Sequence, residues 1–343
     1  MKKSVENIMT YTQEQDEAIT PKNLPVSIVV CAYNAQEHIR ETLDSLIAQT
    51  YDHLEILIVD DASTDATPEI CREYAECDGR VRVVTHPENR GLAHGRKTAV
   101  NEASNELLTF IDADDVAMPN MIERLQDELL ADDNRLGVSA YRVYFDDERD
   151  LGMQKVGPTT RKDYMRLYDG QKLIFLSYPN LVRKSDVLEA GGYRIDVMPN
   201  DGGIRYEDFC EDLDLWCRMS DLSVDGRYFI TLKEPLSCYR KPAGSMSTAN
   251  VGIMQNKMRW IKDCLRRRRA NDLERSFAEF LTSRTSWERL SDRRSDSAAG
   301  FYKKAGFAYA KRNYPSLAWY LLLTSLTSPK LIWQKLATQK ANR

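Results

Sequence analysis

Short apolar runs alternate with helically spaced ones through the first third of the chain. VSIVV from Val26, EILIV from Glu55, VRVV from Val81 and LLTFI from Leu107 have strand length and are rich in β-branched residues. Between them the apolar residues recur at helical spacing. Ile39, Leu43, Leu46 and Ile47 share one face, Ile70 and Tyr74 a second, and Ile122, Leu125 and Leu129 another. Thr67-Pro68 supplies an N-cap and a first-turn proline, a helix is expected from near Gly91, and Pro119 opens the next. Strands alternating with helices predict an α/β fold whose mostly parallel sheet is covered on both faces, which is why the strands read as unbroken apolar runs. From 136 to 246 the pattern is mixed, with apolar pieces at 136–145, 173–182 and 227–232. Beyond Asn250 it predicts helices over Met254–Leu265, Leu273–Leu290, Ala298–Lys311 and Pro315–Ala337. Residues 1–23 are polar and unpatterned, as expected of a loose arm.

The residues that follow each strand change abruptly in character. Tyr33-Asn34, Asp60-Asp61, His86-Pro87-Glu88-Asn89 and Asp112-Ala113-Asp114-Asp115 all stand at strand ends. In such sheets ligands bind outside the carboxyl ends of the strands. No Gly-x-Gly-x-x-Gly or Gly-Lys-Ser/Thr loop is present, so backbone cradling of a phosphate is not signalled. Clustered carboxylates raise each other's pKa unless a cation neutralises them, and oxygen-only ligands suit Mg²⁺ or Mn²⁺. Asp112 and Asp114 lie two apart, so an extended backbone would point both the same way. The competing reading is a set of turn aspartates capping the helix at Pro119. A calcium loop at Asp61-x-Ser63-x-Asp65 is excluded, because Ala66 replaces the required glycine and Arg72 the closing Glu.

Charge adds a second feature. The 343 residues carry a net charge of −4, but residues 1–256 hold −17 and residues 257–343 hold +13. RWIKDCLRRRRAN and the aromatic and leucine residues from Tyr314 to Trp333 fit peripheral docking on an anionic leaflet. They equally fit a plain helical subdomain that packs its leucines inward. Nucleic acid is not an expected partner, since no recognised module accompanies the arginines. The seven cysteines form no zinc-type pairs, the N-terminus has no apolar signal core, and the Leu317–Leu326 stretch is too short to span a bilayer. The expectation is a cytoplasmic protein, peripheral on the membrane if the basic tail docks there.

Taken in order, these segments resemble glycosyltransferase family 2, on the GT-A fold, from about Val26 to Ser247. VSIVVCAYN resembles its opening strand, VDDASTD its second-strand motif, NRGLAHGRKTAVNEA its Asn-x-Gly…Arg helix and FIDADD its DxD motif. Gly191-Gly192-Tyr193, CEDLDLWCRM and CYRKPAGSMS resemble the acceptor-side turn, the catalytic helix and the closing loop. Pro242 stands where many members carry a His.

The resemblance implies a nucleotide-sugar donor, UDP-linked by analogy, held by Ala32, Tyr33, Asp61, Arg96, Asp112, Arg240 and Ser245. It implies a metal on Asp114, with Asp112 beside it, and Asp212 as general base. Gly192, Tyr193 and Glu211 would line the acceptor side, taking a glycan or lipid-linked acceptor hydroxyl with inversion. The domain plan that follows is an arm (1–23), a GT-A catalytic domain (24–249, with a nucleotide half at 24–120 and an acceptor half at 121–249) and a basic helical module (250–343). Two other classes share parts of this pattern. A sugar-nucleotide nucleotidyltransferase would need a Gly-rich loop where Cys-Ala-Tyr-Asn stands; a non-catalytic nucleotide-sugar-binding protein would have no use for Asp212.

Overall fold

The computed structural model describes residues 24–146, 149–197, 204–240, 250–310, 312–329 and 331–332. Four parallel strands form its first half: β1 (Val26–Ala32), β2 (Leu54–Asp60), β3 (Val81–Thr85) and β4 (Leu107–Asp112), in the spatial order β3-β2-β1-β4. The sheet continues through β8 (Asn180–Arg183), β6 (Arg135–Asp146), β9 (Tyr228–Arg240) and β5 (Val116–Ala117), with β7 (Arg149–Gln154) on β6. β8 runs antiparallel to β4 and β6, while β9 is parallel to β6. The predicted parallel α/β sheet is therefore present, extended by a mixed half.

The helices are α1 (Ile39–Ile47), α2 (Thr67–Cys77), α3 (Leu92–Glu102), α4 (Met121–Leu130), α5 (Arg161–Asp169), α6 (Lys184–Glu189) and α7 (Glu211–Met219), then α8 (Val251–Arg269), α9 (Phe277–Ser283), α10 (Ser286–Ala310) and α11 (Tyr314–Thr327). Successive strand residues point to opposite faces, and each face has its own core. Val26, Ile28, Val30, Ile56 and Ile58 pack with Leu43 and Leu46 of α1, Ile70 of α2 and Leu125 of α4. Val29, Leu57, Val59, Leu108 and Phe110 pack with Ala99 and Val100 of α3 and with Leu215 and Trp216 of α7. The 173–182 piece is strand only at its end, in β8; Ile174, Leu176 and Tyr178 instead fill the second core.

The chain divides into two compact units, Met1–Pro242 with Ile261–Leu273, and Ala243–Trp260 with Glu274–Arg343. The arginine run lies at the end of α8, and two of its members are committed within the first unit. Arg268 Nε and Arg269 Nε both donate to Asp221, at 2.5 and 3.0 Å, and Arg269 lies 4.1 Å over the Tyr168 ring. In the second unit Arg259 pairs with Asp292 and Asp296, and Trp260 packs on Phe277. The expected helix Leu273–Leu290 is broken. Ser276 and Glu279 form a capping box at α9, and Thr285 with Glu288 repeats the same reciprocal bonds ahead of α10. α10 then runs unbroken through the expected start at Ala298.

Where β6 and β8 meet, a Cβ on Gly137 would sit 2.7 Å from Val182 Cγ1 and 3.2 Å from the Phe229 ring. Gly137→Ala is expected to lower the unfolding free energy by about 1–3 kcal/mol through overpacking. Chemical denaturation midpoints for the two proteins measure this.

Candidate active site

At the carboxyl edge, the loops after β1 and β2 are stitched to each other. Asn34, at φ 49°, donates its N–H to Ser63 Oγ at 2.9 Å and accepts from Thr64 N–H at 2.8 Å. Ala35 N–H reaches Thr67 Oγ1, and Gln36 N–H reaches Asp65. The Ser-Thr-Asp part of VDDASTD thus shapes the first loop. It leaves Tyr33 at the rim, 50% exposed, while Ala32 is buried at the strand end, where its carbonyl accepts from Asp61 N–H.

Asp61 is buried and its carboxylate is fully used. It accepts from Arg90 N–H (2.9 and 3.1 Å) and Gly91 N–H (2.7 Å), and it meets His86 Nδ1 at 2.6 Å. His86 Nε2 in turn meets Thr98 Oγ1 at 2.9 Å. A carboxylate offers about four acceptor positions, so Asp61 fastens the 86–91 loop to the sheet with its whole capacity. The neighbouring Asp60 keeps Oδ2 buried without a hydrogen-bond partner among the described residues.

The acidic run does not continue as extended backbone. β4 ends at Asp112, and Asp115 N–H donates back to the Asp112 carbonyl at 3.1 Å. The expectation that Asp112 and Asp114 point the same way because of strand pleating therefore fails: the strand stops two residues short of Asp114. Asp112 stays about a third exposed (34%) and accepts from Arg96 Nη2 at 3.2 Å. Asp115 is buried, accepts Arg240 N–H at 2.9 Å, and is pushed well up by burial and by the charges of Asp112 and Asp114. Burial, and then Asp112, pushes the Asp114 carboxyl up to about 6. Excess negative charge has accumulated at this turn, as it would where a cation is to be received.

Arg240, expected at the diphosphate, is buried and committed elsewhere. Its guanidinium donates to the Asp114 carbonyl (3.0 Å) and to Glu41 (2.5 Å) and lies 4.5 Å over Phe145. It braces the acidic turn against α1. Ser245, in the closing-loop segment, lies outside the described residues.

Arg96 projects from α3 into the centre of the site. It pairs with Glu211 and Asp112 and stands 4.6 Å over the Tyr178 ring. Asp112 and Glu211, 99 positions apart in sequence, are thereby held on one guanidinium. Burial drives the Glu211 carboxyl up and Arg96 opposes it. Asp212, next on α7, is raised by burial first, with Arg96 working against the shift and Asp112 adding to it. Leu213 N–H donates to Asp212 Oδ1 at 2.6 Å; Oδ2 has no hydrogen bond among the described residues. The rest of the Glu-Asp-x-Asp-Leu-Trp-x-Arg helix is structural. Asp214 pairs with Arg218 at 3.0 Å, and Trp216 is buried against Tyr178.

Two acceptor-side expectations land in the framework. Tyr193 is buried, packed edge-on to Phe110 with its hydroxyl 3.3 Å from that of Tyr178. Gly191 and Gly192 end α6 with φ of 87° and 62°, and the Gly192 carbonyl accepts from Arg218 at 2.6 Å. This turn demands glycine because both residues are left-handed. Asp208 meets the start of α3, accepting Ala93 N–H at 2.8 Å, and Arg205 donates to the Asn89 carbonyl of the 86–91 loop at 2.7 Å. Tyr178, Glu41 and Arg142 were not singled out by sequence, because isolated residues on a loop, a helix and a strand carry no local signal. Only His86, in the polar group after β3, was legible.

A mostly parallel sheet presenting a DxD-type acidic turn after its fourth strand, with the β1 and β2 loops beside it, defines an α/β protein of the GT-A type. The mannosyltransferase PcManGT of Pyrobaculum calidifontis, solved with GDP-Man and Mn²⁺, superposes with a TM-score of 0.53 at 19% identity over 95% of this chain and 93% of that one. Staphylococcus aureus TarS 1-349, solved with UDP-GlcNAc, gives 0.53 at 16% identity over 88% and 91%. Residues 27–192 match the family model described as Glycosyl transferase family 2. Glycosyltransferase GlyA of Streptococcus pneumoniae is 32% identical over 163 residues, 48% of this chain and 23% of that protein. The putative glycosyltransferase EpsH of Bacillus subtilis is 37% identical over 146 residues, 43% of this chain and 40% of its own length. Residues 27–192, just under half of this chain, thus carry a glycosyltransferase family 2 domain, and the chain spans less than half of these two relatives.

Asp208 offers a pH test of the site's framework. Its carboxyl is raised to about 6, chiefly by burial, from an ordinary value of about 3.9. The folded state therefore holds this proton more tightly than the unfolded one, and the group's contribution to stability is lost as pH rises from about 4 to about 6. Asp208→Asn keeps an oxygen for Ala93 N–H. Its melting temperature should gain on that of the native protein across this window and stay ahead at pH 7.5, as read by thermal scans at several pH values.

Proposed function

We propose that this domain transfers a sugar from a nucleoside-diphosphate sugar to an acceptor hydroxyl, with inversion at the anomeric carbon. The observation that carries the reading is the convergence on Arg96 of the acidic turn at the end of β4 and the start of α7, inside a family 2 domain. Tyr33, exposed at the rim, offers a ring for the base to stack on. The 86–91 loop held by Asp61 supports the nucleotide from below.

Mg²⁺ or Mn²⁺ fits the acidic turn. Among the described residues no cluster of three or more His, Cys, Asp or Glu side chains forms a cage, so Asp114 and Asp112 would supply one or two oxygens and leave the rest to phosphate and water. When bound, such an ion neutralises charge on the departing diphosphate. The protein's own work lies in Asp212. Oδ1 is fixed by Leu213 N–H, and Oδ2 is open to accept the proton of the attacking hydroxyl, with an affinity for it raised by burial. Arg96 pairs with Asp112 and Glu211 beside that carboxylate. The bound nucleotide sugars of the two structural neighbours differ in base and sugar, so both UDP- and GDP-linked donors belong in the test.

Asp212→Asn should reduce turnover by at least a hundredfold while nucleotide-sugar binding, followed by thermal shift with Mn²⁺, stays within about threefold. Near-native turnover in Asp212→Asn would sink the base assignment. EDTA should abolish activity in the native protein and added Mn²⁺ should restore it; turnover indifferent to EDTA would remove the metal.

The second unit fits an anionic leaflet, where a lipid-linked acceptor would also lie. α11 carries no charged residue, and its Trp319, Leu322 and Leu326 are exposed on one face. From Ser297 to Arg343 the chain has eight Lys and Arg and no Asp or Glu. Among the described residues no helix is long and apolar enough to cross a membrane, which makes this a surface contact. The protein should co-sediment with vesicles containing anionic lipid and much less with neutral ones, and Trp319→Ser with Leu322→Ser should weaken the association. Equal recovery with both vesicle types would dismiss it.

A further inference from the structure

Four arginines are buried in the first unit: Arg96, Arg142, Arg218 and Arg240. Three have carboxylates to answer their charge, namely Glu211 and Asp112 for Arg96, Asp214 for Arg218 and Glu41 for Arg240. Arg142 has none among the described residues, although it is only 8% exposed. Its Nε donates to Gln154, and its guanidinium carbon lies 4.1 Å over the Tyr239 ring and 5.9 Å from the centre of the Tyr144 ring. Burying a cation without a counter-charge is costly, and aromatic faces with one amide return only part of that cost. An unanswered guanidinium of this kind is suited to receive an anion, which its planar fork can bind in a bidentate manner.

Its position says where that anion would sit. Arg142 lies opposite Ser237 in the β6–β9 ladder, and on the other side of β9 the next residue, Cys238, pairs with Val116, the residue that follows Asp115. Three residues on from Ser237, the Arg240 N–H binds Asp115 itself. Arg142 is thus carried across β9 from the strand that leaves the acidic turn. The stacked Tyr239 ring is within the field of Asp112, Asp114 and Asp115. Arg142 therefore sits on the strand next to β9, whose Cys238 and Arg240 border the acidic turn proposed to hold the metal.

We propose that Arg142 is an anion-recognition residue of this site, taking a phosphate or carboxylate of the substrates in a fork held flat by Tyr239 and Gln154. The chemistry has two sources, the diphosphate of the donor or an acidic group on the acceptor, such as a uronate or a phosphodiester. The inference rests on the proposed donor site, but its test reads binding and not turnover, so it can fail or stand independently of the transfer reaction.

Thermal shift and isothermal titration would be run on the native protein, Arg142→Gln and Arg142→Lys with four probes. These are UDP with Mn²⁺, inorganic pyrophosphate with Mn²⁺, glucuronate, and glucose as the neutral control. At least one anion should stabilise the native protein and bind Arg142→Gln about tenfold or more weakly, with Arg142→Lys in between because it keeps the charge and loses the fork. Loss confined to UDP and pyrophosphate assigns the donor diphosphate; loss confined to glucuronate assigns an acidic acceptor. Binding of every anion to Arg142→Gln within twofold of native overturns the proposal. So does a native protein that none of the three anions stabilises, a result that stands even if Arg142→Gln fails to fold.

Discussion

The site is organised around one buried guanidinium. Arg96 comes from the first half of the chain, and its partners Asp112 and Glu211 come from the end of a parallel strand and the start of a helix in the mixed half. Without its charge, the carboxylates of Asp112, Glu211 and Asp212 would face one another across a partly dry space, and mutual repulsion would force them apart or protonate them. Tyr178 beneath the guanidinium, and Tyr193 beneath Tyr178, fix its height. Removing such a cation from a buried group leaves several acids unanswered at once, which makes this contact more consequential than any surface pair in the molecule.

Around that centre the protein spends polar side chains on shaping its own loops. Asp61 devotes all of its oxygen capacity to the 86–91 backbone and His86. Arg240 ties the acidic turn to α1, and Asp208 meets the first turn of α3 at Gly91, whose φ of 95° and closeness to that carboxylate leave no room for a side chain. These residues look like ligand-binding groups in a sequence because they are polar, charged and placed at strand ends. In this structure their contacts hold the 86–91 loop and the acidic turn in place beside Asp112 and Asp114. A preorganised site needs such support, since groups free to relax would surrender their electrostatic advantage to solvent.

The acidic turn and Arg142 give the site charges of both signs at close quarters. Among the described residues Asp114 and Asp115 have no ion-pair partner, and neither has Arg142 on the strand next to β9. They cannot simply neutralise each other, because Arg142 is held against Tyr239 by β6 and β9 while Asp115 is held by the Arg240 backbone. On the proposed reading, substrate would satisfy both at once, its phosphates or acid groups meeting the arginine and an accompanying cation meeting the aspartates. Binding and neutralisation are then the same event.

The sequence by itself determined the parallel half of the sheet, because β-branched runs and helical spacing are local patterns that each strand and helix carries alone. It also located the acidic turn, the Asn34–Asp65 loops and the α7 acids, since these follow their elements directly in the chain. Other features could not be read that way. That Asp112 ends its strand, that Asp61 and Arg240 turn inward, that Tyr193 is core and that Arg142 stands unanswered beside the aspartates are all settled by which strands pair. β6 joins residues 41 to 45 positions away on β8 and 92 to 95 positions away on β9, and the register between them decides whether an arginine meets a carboxylate or a ring. The division of the C-terminal arginines is of the same kind. Four identical residues in a row have one sequence signal, and only tertiary packing gave two of them to Asp221.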